Sequence, residues 1–305
     1  MDTASIKGIN HVSFKERMQS YLHHPMAFLE FLLVHLAAIL TGLVVIFIIV
    51  YILWTGVPHL SPELFAWEWS TKNQSMMPAI VNTLVMTVIS LLLAVPVGVG
   101  GAIYMVEYAG RGNKLVKLVR LTAETLQGIP SIVYGIFGFV FFNVACGWGF
   151  SMLAGCVTLA IMILPVILRT TEEALMAVPD SYREGSFGLG AGKLRTVFRI
   201  ILPAAMPGIL AGIILGIGRI VGESAALIYT SGSGTGNLNF AKDGSFSLFA
   251  PLFQSTRTLS VHMYALMNEG LYTDQAHATA VVLLVLVVGL NALSSYAAKK
   301  LMKDQ

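Results

Sequence analysis

The sequence predicts an all-α, polytopic membrane protein with six transmembrane helices, and three observations carry that prediction. Of its 305 residues, 56% are hydrophobic and only 11% charged, against about 25% charge in an ordinary soluble domain. The charges cluster, leaving charge-free runs at 31–62, 73–106, 125–168, 200–218 and 275–298, and a membrane-crossing helix needs about 20 apolar residues. Within these runs the apolar residues follow one another without the alternation of barrel strands, so the spans are helices.

Taken in order, the expected spans are 33–54, 80–106, 129–145, 150–168, 207–230 and 278–297. The third and fourth come from one 44-residue run, 125–168, which is too long for a single crossing and turns at the glycines near 147–149. Pro130 opens the third helix, since proline is tolerated where a helix begins. The first span is an anchor: its apolar stretch is longer than the 7 to 15 residues typical of a signal-peptide core, and no small-residue cleavage site follows it. Six spans put both ends of the chain on one side, and that side carries 14 of the Lys and Arg residues, including Lys7, Lys15, Arg17, Arg111, Lys114, Lys117, Arg120 and Lys303. The other side carries three, Lys72, Lys242 and Arg257. Positive residues gather on the cytoplasmic side, so both termini are expected there. The expected organisation is a cytoplasmic N-terminal segment (1–32), a first helix with its external loop (33–77) and a transport core (78–301). Nothing supports a nucleic-acid partner; the lipid bilayer is the expected surrounding.

The segment between spans four and five is not a simple connector. Residues 172–178 favour a helix, Pro179 interrupts it, and Asp180 or Ser181 is placed to cap a second helix from Tyr182 that stops at Gly190. A third piece over 193–202 carries Leu194, Val197, Phe198 and Ile201 at helical spacing on one face, and Pro203 is expected to break it. Composition alone leaves two readings open: a docking elbow for a soluble partner, or a basic amphipathic helix lying on lipid.

Within this segment the order Glu184, Gly185, Ser186, three residues, Gly190, nine residues, Ile200, one residue, Leu202, Pro203 resembles the EAA loop of ABC importer permeases. Gly185 and Ser186 stand where the family usually has two alanines, and glycine weakens a helix by roughly 1 kcal/mol relative to alanine. Residues 124–138 (ETLQGIPSIVYGIFG) and 218–234 (GRIVGESAALIYTSGSG) look like stretches of phosphate importer permeases, and 258–266 (TLSVHMYAL) resembles the PstA-type subunit more than its PstC-type partner. The resemblance covers about 78–301, with the EAA loop at about 171–203, and implies a MetI-like transmembrane fold in a bacterial cytoplasmic membrane. It also implies partners: a second permease of PstC type, a PstB-type ATPase pair that binds the EAA loops and holds ATP and Mg, and an external PstS-type protein delivering phosphate. No cofactor or metal is expected on this chain.

Charged residues inside the membrane are the candidates for the pathway. Arg219 and Glu223 lie in the fifth span four residues apart, a spacing that lets them neutralise each other or lets Glu223 hold Arg219 for an oxyanion. Arg169 is either a second group on the anion route or a boundary residue snorkelling to water. Glu124 is either a gating or interface partner of one arginine or a boundary carboxylate. Asn82, Thr83 and Asn291 read as interhelical hydrogen-bond formers. Cys146 and Cys156 read as free thiols in preference to a disulfide. The external segment 231–274, with a short helix expected near 259–267, is a natural docking surface for the binding protein.

Two rival classes are weaker. GLGAGKL imitates a phosphate loop, but Leu194 follows the Gly192-Lys193 pair and Phe187 holds the position of the first required glycine, so ATP is not expected there. A lone secondary transporter using Arg219, Glu223 and Glu124 as a relay leaves the cytoplasmic elbow without a purpose. An intramembrane enzyme has no HExxH motif to support it.

Overall fold

The structure is a computed structural model that describes residues 25–110, 112–242, 245–247 and 249–303. Most of the N-terminal segment 1–32, with Lys7, Lys15 and Arg17, lies outside the described residues, as does Arg111. The chain divides into two compact units, Met1–Trp54 and Thr55–Gln305. In the first, helix α1, Pro25–Gly56, begins eight residues before the expected span and is apolar along nearly its whole length, with Leu33, Leu40 and Ile46 outward.

The second unit is a helical bundle. Helix α2, Met77–Ile103, ends in a π-turn, Tyr104–Tyr108, closed by the Ala109 N–H on the Tyr104 carbonyl at 2.9 Å. Helix α3, Lys114–Gln127, starts where the Asn113 side chain accepts the Leu115 N–H. Next comes α4, Ser131–Gly138, with Pro130 at its N-cap, continued by a wide turn Phe139–Ala145. Helix α5, Met152–Met176, is capped by the Ser151 side chain, and α6 is Asp180–Gly188. Helix α7, Lys193–Thr196, runs through a second π-turn, Val197–Ile201, into α8, Leu202–Gly222. The bundle closes with α9, Ala225–Thr230, α10, Leu259–Glu269, and α11, Thr273–Lys303. A two-residue antiparallel pair, β1 Ala241–Lys242 with β2 Ser245–Phe246, lies in the long loop.

Among the described residues, five helical stretches are long and apolar enough to cross a membrane: Met26–His59, Met77–Tyr108, Met152–Met176, Lys193–Gly222 and Thr273–Lys300. The third expected crossing, 129–145, falls on α4 with its wide turn, which is long and apolar enough only when taken together with α3. That segment is 15 residues long, and with α3 it forms a pair bent by 104°. The basic stretch around Lys114, Lys117 and Arg120, expected as loop, is therefore a helix across the end of the bundle, its Val116 and Ala123 buried. The short α10 is present as expected, with Thr258 capping its start and Gly270 at φ 70° ending it.

Helix α5 is the centre of the bundle and packs against α2, α8 and α3. Its Leu159, Ile163 and Ile167 are fully buried with Met86 of α2 and Ile220 of α8. At the end nearest the elbow, Ala102 and Ile103 of α2, Leu175, Val178, Val197 and Ile201 form a second apolar cluster. Cys146 is exposed and Cys156 buried, and both are free thiols. Thr83 accepts the Leu259 N–H at 2.8 Å and Asn82 donates to the Arg257 carbonyl, so these two residues join elements as expected.

Candidate coupling elbow and membrane arginine

The elbow is built from three local causes. Pro179 stops the chain after α5, whose last turn contains the 172–176 stretch expected as a separate helix. Helix α6 then starts at Asp180, two residues before Tyr182, with Pro179 rather than a side-chain acceptor at its N-cap. It ends as expected at Gly190, whose φ of 81° is the left-handed conformation that glycine alone adopts without steric cost. The Ala191 N–H bonds the Ser186 carbonyl at 3.1 Å and the Gly190 N–H bonds that of Phe187 at 2.9 Å, the paired closure of a Schellman turn. Buried Ser186 meets the Thr196 hydroxyl at 2.7 Å across the elbow.

Glu184 and Gly185 are exposed, and nothing in this chain comes within 4 Å of where a Gly185 side chain would begin. Around them Tyr182, Phe187 and Leu189 are exposed, Leu189 at 91%.

Two expectations for the following stretch fail. Val197 and Ile201 are buried, but Leu194 and Phe198 are 67% and 51% exposed, so the four do not share a face. Pro203 does not break the helix, which runs continuously over Lys193–Gly222. The π-turn at Val197–Ile201 explains the second result. It adds a residue to one turn, and it places Leu202 and Pro203 in the first turn of α8, where a missing N–H costs little. Ile200 and Leu202 pack at the edge of the second apolar cluster.

Charged pairs fasten the same end of the bundle. The Arg183 guanidinium donates from Nε and Nη2 to Glu107 Oε1 at 3.1 and 2.7 Å, from Nη2 to the Leu175 carbonyl at 3.0 Å, and from Nη1 to the Val178 carbonyl at 2.8 Å and Asp180 at 3.2 Å. Arg120 of α3 donates to buried Glu172 of α5 at 2.6 Å. Arg169 reaches Glu173 at 3.0 Å and Glu124 at 3.6 Å, so the structure joins two of the sequence candidates. A cleft of about 680 Å³, lined by residues including Glu107, Lys117, Arg120, Arg183 and Lys193, opens beside these pairs. Sequence reasoning missed Arg183, Glu107, Arg120 and Glu172. The signal available was the position of Glu107 at the end of an apolar run and of Arg183 beside the motif glutamate; these two lie 76 residues apart in sequence, and Arg120 lies 52 from Glu172.

Inside the membrane segment, the expected pairing of Arg219 with Glu223 is overturned. Helix α8 stops at Gly222, and Glu223 takes an extended conformation (φ −76°, ψ 127°). Its carboxylate instead accepts the Ala226 N–H at 3.0 Å, starting α9, while its carbonyl accepts the Ser260 hydroxyl. No ion pair among the described residues joins Arg219 to Glu223. The span expected as continuous over 207–230 is thus broken beside an arginine, and broken helices in membranes place free backbone groups and helix ends where polar cargo passes. Arg219 is half-buried. Helices α4 and α9 touch closely: a methyl at Gly135 would lie 2.8 Å from Ala226 Cα.

The family model for the binding-protein-dependent transport system inner membrane component matches residues 95–303. The chain is 36% identical over 263 residues to the probable ABC transporter permease protein YqgI of Bacillus subtilis, covering 84% of this chain and 87% of that one. It is 32% identical over 238 residues to the phosphate transport system permease protein PstA of Mycobacterium leprae, covering 74% of each. Among solved structures, a chain of the inward-facing MetNI methionine ABC transporter aligns with a TM-score of 0.58 at 23% identity, over 77% of this chain and 99% of that one. A chain of an alginate-importing bacterial ABC transporter aligns with a TM-score of 0.53 at 17% identity, over 86% and 95%. The fold is that of MetI-like ABC importer permeases, and the chain belongs to the family of binding-protein-dependent transport system inner membrane components.

Proposed function

We propose that this chain is one of two permease subunits forming the pathway of an ATP-driven importer for inorganic phosphate. The observation that carries the importer reading is the elbow: Glu184 with exposed Tyr182, Phe187 and Leu189, held on a helix that is fastened to the bundle. A short helix seated in a groove passes motion through shape and a few polar contacts, and a cytoplasmic ATPase pair holding ATP and Mg is the partner it fits. The elbow side is then cytoplasmic, with both termini. A second permease completes the pathway, and an external binding protein delivers the cargo to the opposite face, where the 231–274 segment lies.

The phosphate assignment rests on the similarity to a PstA permease and on Arg219. An arginine freed from its expected carboxylate partner offers a permanent, multi-donor cation to an oxyanion. Arg169, already engaged by Glu173 and Glu124, stands at the boundary as a second cationic step. The test is labelled phosphate uptake at micromolar concentration in cells lacking this chain, complemented by wild type or by Arg219→Gln at equal membrane levels. Rescue by wild type alone is the expected result. Failure of wild type with its companion subunits present rejects phosphate as cargo, and full rescue by Arg219→Gln rejects the pathway role of Arg219.

A further inference from the structure

We propose that Arg183 and Glu107 form the strut that carries motion of the elbow to the second span, a positioning pair for coupled transport. The inference rests on the ATPase-docking reading of α6 and extends it to the route by which docking acts. Beside Lys193, whose ammonium lies 5.1 Å from the centroid of the Tyr108 ring, two attachments among the described residues hold the elbow to the bundle. One is the apolar cluster of Val197 and Ile201 against Ala102, Ile103, Leu175 and Val178. Apolar contact is non-directional, so it resists separation better than sliding. The other is the Arg183 guanidinium, whose four hydrogen bonds to the bundle, two to Glu107 and one each to the Leu175 and Val178 carbonyls, fix direction as well as distance.

Those bonds reach the ends of two spans. The Leu175 and Val178 carbonyls lie at and just beyond the C-terminal end of α5, where helix carbonyls lack partners and a cation is favourable. Glu107 belongs to the π-turn that ends α2. Its side chain is only 7% exposed and that of Arg183 16%, so the pair is largely shielded from water at the edge of the cleft. One side chain of the docking helix therefore grips the ends of two spans, next to the glutamate that faces the partner. Lysine has a single ammonium and cannot hold a carboxylate and two carbonyls in this fork.

The experiment uses the assembled importer, purified with its companion subunits and reconstituted in vesicles. Wild type, Glu107→Gln, Arg183→Gln, the double variant and Arg183→Lys are compared for retained ATPase, ATP hydrolysis and phosphate moved per ATP. Glu107→Gln and Arg183→Gln are expected to retain the ATPase and hydrolyse within about twofold of wild type, while phosphate per ATP falls at least tenfold. The double variant is expected to fall no further than the worse single, as for two residues acting as one unit. Wild-type stoichiometry in Glu107→Gln, or losses that multiply in the double, overturns the strut. Loss of the ATPase from the variants alone also overturns it, since the pair then shapes docking; loss from wild type overturns the docking reading itself. Should Glu107→Gln fail to accumulate, Arg183→Lys decides: a fall of at least threefold is expected, and an unchanged ratio overturns the proposal.

A second measurement is independent of cargo. Spin labels at Leu189→Cys and Tyr104→Cys, with Cys146 and Cys156 changed to Ser, report the spacing of elbow and α2 in the assembled complex. Wild type is expected to keep one narrow distance with and without a non-hydrolysable ATP analogue. Glu107→Gln is expected to at least double the width, and an unchanged width overturns the proposal.

Discussion

Lowering the pH should destabilise the folded chain through one side chain outside the membrane-spanning helices, His262. It lies on α10, fully buried, and neither ring nitrogen has a hydrogen-bond partner. Burial pushes its imidazole down to about 3 from the ordinary 6.5, with the charge of buried Arg257 adding to the shift and the Gln74 backbone opposing it. The folded chain thus keeps His262 neutral between those values, whereas the unfolded chain takes up a proton. His262 is neutral in both states above pH 6.5, so the associated stability is intact there and is lost as pH falls toward 3. The slope is about 1.4 kcal/mol per pH unit. From pH 8 to pH 5 the loss is about 2 kcal/mol, or about 4 °C in melting temperature. The assay is a tryptophan-fluorescence melt of the detergent-solubilised chain at both pH values, for wild type and for His262→Met, which cannot titrate. The difference between the two chains removes the contribution of the exposed histidines and of carboxylates. An equal pH dependence in His262→Met refutes the reasoning.

Three further perturbations test the elbow and the packing beside the broken span. Glu184→Lys reverses the charge on the exposed docking helix and should abolish ATPase co-purification or uptake while leaving the melt within about 0.5 kcal/mol of wild type, as for an exposed surface change; normal co-purification with normal uptake refutes its role. Gly185→Ala should raise stability by up to about 1 kcal/mol in the chain alone, because the position is helical and open, and a denaturant melt checks it. Gly135→Val should lower stability by about 1 to 3 kcal/mol through overpacking against Ala226, whereas an unchanged melt means that α4 and α9 separate without cost.

Much of the architecture was legible because membrane burial writes itself into composition. Charge-free runs locate α2 to within three residues at each end and place α5, α8 and α11 in order along the chain, since the solvent they avoid is the same for every helix. The EAA-type spacing was legible for a local reason: Gly190 needs a left-handed backbone wherever α6 packs. What failed did so where a single turn changed width. The π-turn at Val197–Ile201 carried the helix through Pro203, and no periodicity analysis at 3.6 residues registers an inserted residue. The break at Glu223 was hidden for a related reason, because the charge spacing of Arg219 and Glu223 is ordinary helix spacing and only the Ala226 N–H shows where the carboxylate goes.

The sequence by itself determined that the chain lives in a membrane, where its main helices lie, and that an elbow with an EAA-type pattern separates the fourth and fifth spans. Those properties depend on each residue's own solvent preference and on neighbours within one or two helical turns. Only the tertiary structure decided which charges meet: Arg183 with Glu107, Arg120 with Glu172, Arg169 with Glu124, and Arg219 with no carboxylate among the described ion pairs. Partners drawn from different helices are selected by how α2, α3, α5 and α6 pack at their ends, and the cost of burying a charge favours whichever opposite charge that packing brings within reach. Sequence separation carries no record of that choice.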